Sequence, residues 1–215
     1  MRIILLSLLL LAGCSCTNIG KAPVDQFFQI RARDLVDQSK TGNGEGLAKA
    51  VPGRPLLINN ANVFSTMGDA VLGIAIAVGT ISKTVDLFRD MDPLLLQSKL
   101  QAVLNEEFSR QHADPQWRVL LAMAGEDRRL ILEPYCYLHG HPNAILQLRL
   151  RVSLVRGDDI VWTRQLAETS DQRPLQGENS WSANGARQVI EFVETALPGL
   201  VKRLPEVQLD TATNL

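Results

Sequence analysis

A chain of 215 residues is long enough for one sizeable domain or two very small ones. Hydrophobic residues make up 46% of it and charged residues 21%, the ordinary composition of a protein that buries a core. The formal net charge of −1 argues against the dense cationic surface that nucleic acid or anionic lipid requires, so a nucleic-acid partner is not expected.

The amino terminus has the layout of an export signal. Arg2 is followed by an apolar run over residues 3–11 and then by small residues before Cys14. A positive start, a short apolar run and small residues at the cleavage point are typical of a secretory signal peptide. The run is shorter than the roughly 20 residues that a membrane span needs. The sequence therefore predicts a signal peptide over residues 1–13.

The residues Leu11-Ala12-Gly13-Cys14 resemble the lipobox of bacterial lipoproteins. This resemblance implies cleavage before Cys14 and attachment of lipid to its sulfur, so that the mature chain is anchored to a membrane. Ser15 stands where an aspartate commonly retains lipoproteins at the inner membrane, so the resemblance implies the outer membrane, facing the periplasm. One alternative is a free secreted chain, and another is cleavage before Cys16, which fits the residues less well.

The mature chain divides into a lipidated tether and leader (14–50), one α+β domain (51–205) and a polar tail (206–215). Residues 25–36 predict a short strand or helix, and residues 54–60 a buried strand. The glycine-rich segment 41–46 is interpreted as a linker rather than a phosphate-binding loop, because no Lys-Ser/Thr pair follows it.

Two helices are predicted before the strands. The first covers the uncharged stretch 70–81, which is apolar on all sides and must be buried on most of them. It is either a core helix or an interface for self-association, a partner or lipid, in which case the interface residues are Gly73, Ile74, Ile76 and Gly79. The second begins at Asp92-Pro93 and has an apolar stripe at helical spacing, formed by Leu96, Leu100, Val103, Leu104 and Phe108.

From Trp117 the apolar period changes from helical to two. Strands are predicted over residues 117–123, 130–138, 146–154 and 160–163, with Pro134 marking a bulge or an edge. After an irregular loop at 175–180, a final helix runs from about Ala186 and restarts at Pro198 for one more turn. The expected fold is an α+β domain in which an antiparallel β-meander is covered by amphipathic helices.

This order of elements, over about residues 54–204, resembles small periplasmic lipoproteins. Examples are the auxiliary lipoproteins of ABC-type transport systems and modules similar to the TolB amino-terminal domain. The resemblance implies an accessory role in the envelope. It rests on element order alone, and fold does not fix function.

Candidate chemistry is sparse. Cys136, His139 and His141 are the one cluster of metal-ligand types, with His112 as a fourth. Cys136 and His139 have opposite parity on their strand, so no metal site and no cofactor are predicted. Cys136 is also a candidate disulfide partner for Cys16, although the spacing leaves open whether the two residues meet.

Ser65, Ser180 and Ser182 lie in loops without the Gly-x-Ser-x-Gly elbow of a hydrolase, so no catalytic residue is predicted. Arg149 and Arg151 share a strand face and form the candidate ligand face, for phosphate or carboxylate. The alternative is a solvated face.

The leading hypothesis is therefore a non-enzymatic envelope lipoprotein that binds a partner protein or assembles with itself. The rival hypothesis is a lipid or small-molecule carrier that serves an envelope transport system, with an apolar pocket between helices and meander. A hydrolase is the third hypothesis.

Overall fold

The computed structural model describes residues 28–31, 33, 35, 48–59, 70–111, 114 and 128–205. Several predictions lie outside these residues: the signal peptide and the lipidated Cys14, the strand at 117–123, and the polar tail. The side chains of residues 70–77 also lie outside the described part.

One sheet of six strands organises the described chain. The long strands β4, β5 and β6 form an antiparallel meander. Strands β1 and β3 both pair in parallel with the other edge of β4, and β2 pairs antiparallel with β3. The strands are β1 (Phe28–Ile30), β2 (Ala48–Ala50), β3 (Leu56–Asn59), β4 (Arg128–His139), β5 (Asn143–Arg156) and β6 (Asp159–Pro174).

The α+β class is confirmed, but the sheet is mixed rather than antiparallel. The two parallel strands come from the leader and from the predicted strand at 54–60, which the sequence did not place in the sheet. Strand β6 is also much longer than the prediction of 160–163. Its residues are mostly exposed on both faces, so the apolar alternation that marks a half-buried strand is missing.

Pro134 lies at a local edge of the sheet, as predicted. Its register with Leu150 of β5 is continuous, so the strand is not bulged there. On the other edge of β4, Leu132 accepts a hydrogen bond from Arg31, and Cys136 donates one to Pro55. The alternation of the strand places the Pro134 nitrogen on this same edge, between β1 and β3, where the missing N–H leaves no ladder bond broken.

Three helices belong to the described residues: α1 (Ala70–Asp86), α2 (Leu95–Gln111) and α3 (Ala183–Lys202). The predicted stripe of α2 is confirmed, because Leu96, Leu100, Leu104 and Phe108 are buried and the half-buried Val103 packs against the same core. Helix α1 continues beyond the predicted end at 81, and α3 continues through Pro198. No helix in the described ranges is long and apolar enough to span a membrane.

The main apolar core lies against one face of the sheet, the core face, formed by the even-numbered residues of β4 and β5. Six alternate residues of β5 are buried there together with the stripes of α2 and α3. Trp181 anchors the loop after β6 by donating from Nε1 to the carbonyl of Ala144 at 2.9 Å. The β5 residues are Ala144, Leu146, Leu148, Leu150, Val152 and Leu154.

Candidate binding groove on the arginine face of the sheet

The odd-numbered residues of β4 and β5 form the other face of the sheet, here called the arginine face. The register pairs Arg129 with Val155, Glu133 with Arg151, and Tyr135 with Arg149. Gln29 of β1 lies opposite Ile131, so the odd-numbered residues of the β1 segment join the same face. Strand alternation thus gathers charged and aromatic side chains opposite the apolar core.

One end of the arginine face is closed by aromatic packing. Tyr135 and Tyr137 are buried in a second apolar cluster with Leu57. The Arg149 guanidinium lies 4.0 Å from the ring centre of Tyr137, and its Nη1 donates to the Tyr135 hydroxyl at 3.2 Å. Arg33 lies 4.3 Å from the ring centre of Tyr135. These guanidinium groups contact the tyrosine rings through cation–π interactions, which stabilise this end of the sheet.

The other end of the arginine face holds an open groove of about 590 Å³. It spans β1, β4 and β5 and reaches the turn into β6. Three arginines and two carboxylates line it, so an excess of one positive charge remains. The lining residues are Gln29, Arg31, Arg129, Ile131, Glu133, Arg151, Ser153, Val155, Gly157, Asp158 and Ile160.

Two of the three groove arginines have partners. The Nε of Arg151 lies 3.5 Å from Oε2 of Glu133 and 3.5 Å from the Thr163 hydroxyl. The Nη2 of Arg31 donates to the side-chain oxygen of Gln29 at 2.8 Å. Arg129 is exposed, and within the described ranges its side chain makes no hydrogen bond or ion pair.

The floor of the groove is formed by two buried side chains. Ile131 and Ser153 face each other across β4 and β5, and both are buried. The Ser153 hydroxyl hydrogen-bonds the Thr163 hydroxyl of β6 at 2.9 Å. Ile160 also lines the groove and is 57% exposed. The groove therefore combines a floor of one apolar and one hydroxyl side chain with charged residues and an exposed isoleucine.

The two residues of the predicted ligand face lie at different ends of the arginine face. Arg151 lines the groove, whereas Arg149 is stacked at the tyrosine end. Sequence reasoning missed Arg31 and Arg129. The alternation of β4 extends one step back from Leu130 to Arg129, which is the signal that could have found it. Arg31 lies in the leader, and its place beside β4 depends on a parallel pairing that no local pattern encodes.

The structure separates Cys136 from His139. Cys136 is fully buried on the core face with a free thiol, and burial raises its pKa to about 12. His139 lies on the arginine face, where burial, and then the Arg149 charge, lower its pKa below 6.5. The described ranges contain no group of three metal-ligand side chains.

The predicted interface on α1 is seen only at its last residue. Gly79 and Val78 are exposed, and no described atom lies within 4 Å of a Cβ built on Gly79. Gly73, Ile74 and Ile76 are helical, but their side chains lie outside the described part. The helix becomes buried later, at Ile81, and self-association through α1 stays a prediction.

Two of the serines have structural contacts. The Ser182 hydroxyl donates to the carbonyl of Leu175 at 2.6 Å and lies 3.4 Å from the hydroxyl of the buried Ser180. Both residues thus fix the loop between β6 and α3. Ser65 lies outside the described residues.

No protein-family model, curated protein or solved structure matches this chain.

Proposed function

We propose that this chain is a lipoprotein anchored to the periplasmic side of the bacterial outer membrane through Cys14, and that it acts there as a non-enzymatic accessory or assembly factor. It performs this role by binding a partner protein. The anchor is supported by the lipobox-like residues 11–14. The partner-binding role is supported by the surface where the groove meets strand β6.

The observation that carries the proposal is the exposed start of an edge strand. Ile160 and Val161 are exposed at the start of β6, and Ile160 also lines the groove. β6 pairs with β5 on one side, and no described strand pairs with the other side. An edge strand offers a row of free N–H and C=O groups to which a partner segment can add.

Farther along this edge, two residues of β6 contact Arg203, the residue that follows α3. Arg203 donates to the carbonyl of Ala167 at 3.0 Å and pairs with Glu168 at 3.2 Å. Side chains that occupy backbone acceptors protect an edge strand from unwanted pairing. Arg164 also donates to the carbonyl of Thr163 at 3.3 Å. We therefore place the partner contact at residues 159–162, beside the groove.

The rival hypothesis of a lipid carrier receives no support from the groove. Carriers of apolar ligands use enclosed apolar cavities with few polar groups. The groove is open, and three arginines and two carboxylates line it.

Photo-crosslinking in intact cells tests the partner contact. A photoreactive phenylalanine replaces Ile160 or Val161 in the full chain, and Leu94, which is 69% exposed at the start of α2, is the matched control position. We expect one specific crosslinked protein from positions 160 and 161 and none from position 94. Equal labelling at all three positions would contradict the proposed contact.

Fractionation tests the anchor separately. Cys14→Ser removes the sulfur that would carry the lipid, so the variant should leave the membrane fraction for the soluble periplasm. A Cys16→Ser variant is the control and should stay with the membrane. If Cys14→Ser still fractionates with the outer membrane, the anchor proposal fails while the crosslinking result stands.

A further inference from the structure

Arg129 is the arginine of the groove whose side chain has no polar partner among the described residues. Its partner across the ladder is the apolar Val155, and its exposed side chain makes no polar side-chain contact with any described residue. A guanidinium group presents a rigid planar fork of donors that matches a carboxylate in two parallel hydrogen bonds. Arg129 therefore has the right geometry, and no competing described partner, for one carboxylate.

The other charges of the groove set the ligand's charge. Glu133 is paired with Arg151, and Asp158 lies at the rim. Three arginines against two carboxylates leave one excess positive charge, which suits a single carboxylate. An anionic membrane surface instead attracts clusters of several basic residues, and this groove has no such excess.

The floor of the groove sets the ligand's shape. Arg129 and Glu133 are four residues apart on β4, which corresponds to about 13 Å along a strand. The floor between them holds the buried side chains of Ile131 and Ser153, and the exposed Ile160 stands at the rim. A ligand that fits has a carboxylate at one end, an apolar group over Ile131, and a polar end at the Glu133–Arg151 pair.

We infer that this groove binds an extended segment of the partner protein that carries one carboxylate, with that carboxylate on Arg129. An extended peptide supplies side chains at alternate positions on one face, which matches this spacing of charged and apolar contacts. The inference rests on the proposed partner-binding function and names the chemistry of the partner.

Fluorescence anisotropy with the purified full-length lipidated chain in detergent tests the inference. The probe is a labelled peptide in which a single glutamate is followed by alternating valine and serine, and its twin has glutamine in place of that glutamate. We expect the glutamine peptide to bind at least about tenfold more weakly, since each charge-assisted hydrogen bond contributes about that much affinity. Equal binding of the two peptides would overturn the inference.

Variants place the carboxylate on Arg129. Arg129→Gln should weaken binding of the glutamate peptide about tenfold, and Arg129→Lys should restore part of it because the charge returns without the fork. Arg187→Gln, at an exposed arginine of α3 outside the groove, is the matched control and should bind as the wild type does. Equal affinities for Arg129→Gln and Arg187→Gln would place the peptide elsewhere.

Two further arms separate the sources of an anionic group. Glutarate supplies the free dicarboxylate, and vesicles of phosphatidylglycerol supply a lipid phosphate. We expect the glutamate peptide to bind more tightly than glutarate, because only the peptide covers the floor. Arg129-dependent binding of vesicles or glutarate without binding of the peptide would overturn the inference.

The crosslinking experiment distinguishes this inference from the proposed function. If Ile160 and Val161 still crosslink to a partner in the Arg129→Gln background at the wild-type yield, the partner contact stands and the carboxylate inference fails. If no crosslink forms even in the wild-type background, the proposed function fails whatever the peptide measurement shows.

Discussion

The two faces of the β4–β5 hairpin are built by the same two strands and have opposite chemistry. On the core face, every even-numbered residue of β5 from Ala144 to Leu154 is buried against apolar neighbours. On the arginine face, the odd-numbered residues are a mixture of buried side chains, such as Tyr135 and Ile131, and half-buried or exposed charged ones, and the charged groups lie in two different environments. Arg149 is held by two tyrosine rings, whereas Arg151 reaches the groove.

The comparison distinguishes side chains that stabilise the domain by packing from side chains that can bind a ligand. A side chain on the core face stabilises the domain through the apolar area that it buries. An exposed charged side chain at the groove end of the arginine face, such as Arg129, buries little apolar area and can contact a ligand. The tyrosine end is intermediate between packing and binding, because its arginines are charged but already contact the tyrosine rings. Substitutions on the hairpin test this division.

The largest effect is expected on the core face. Leu148→Ala removes a fully buried side chain and should lower the free energy of unfolding by about 2–5 kcal/mol, measured by urea denaturation. Leu94→Ala makes the same chemical change at an exposed position and should cost less than about 0.5 kcal/mol. Similar losses for the two variants would contradict the assignment of the core face.

The next largest effect is expected at the turn that holds the two strands in register. Gly140 has φ +109°, and a Cβ there would lie 2.6 Å from the Asn143 carbonyl oxygen. Gly140→Ala should therefore cost about 1–3 kcal/mol. Gly157→Ala, at φ +58° in the β5–β6 turn with no atom within 4 Å of the new Cβ, should cost less in the same denaturation assay. If the two variants lose equal stability, the close approach to Asn143 does not contribute to the loss at Gly140.

A smaller effect should divide the arginine face itself. Arg149→Met removes the cation–π contacts with Tyr135 and Tyr137 and should cost about 1–2 kcal/mol. Arg151→Met breaks a partly exposed ion pair with Glu133 and a long hydrogen bond to Thr163, and should cost less than about 1 kcal/mol. A larger loss of stability for Arg151→Met than for Arg149→Met would contradict this division of the arginine face.

The smallest effect is the pH dependence contributed by His139. Its pKa is lowered below 6.5 in the folded state, so the unfolded chain takes up this proton more readily. The stability associated with neutral His139 is therefore present above pH 6.5 and is lost as the pH falls from 6.5 through the folded-state pKa.

The measurement is urea denaturation between pH 7.5 and about pH 5. His139→Gln should lose less stability over this range than the wild type. His141→Gln, at an exposed position of the same hairpin, is the control and should keep the wild-type slope. An unchanged slope in His139→Gln would show that this histidine is not coupled to folding.

The prediction from sequence was most successful where a period was strong. The stripe of α2 and the alternation of β5 are both confirmed, because each element buries one face and exposes the other. It was weakest for β6, whose exposed edge position removes the apolar signal, and for β1, whose three residues are too few to show a period. The different environments of Arg149 and Arg151 could not be predicted either, since the two residues lie on one strand face and follow the same alternating pattern.

The sequence by itself determined the α+β class, the two faces of the β4–β5 hairpin, and the lipobox-like start, because each depends on residues close together in the chain. Only the tertiary structure decided that β1 and β3 lie parallel to β4, and that Arg31, Arg129 and Arg151 line one groove. These juxtapositions join residues up to about 120 positions apart, and long-range pairing leaves no periodic mark in a single sequence.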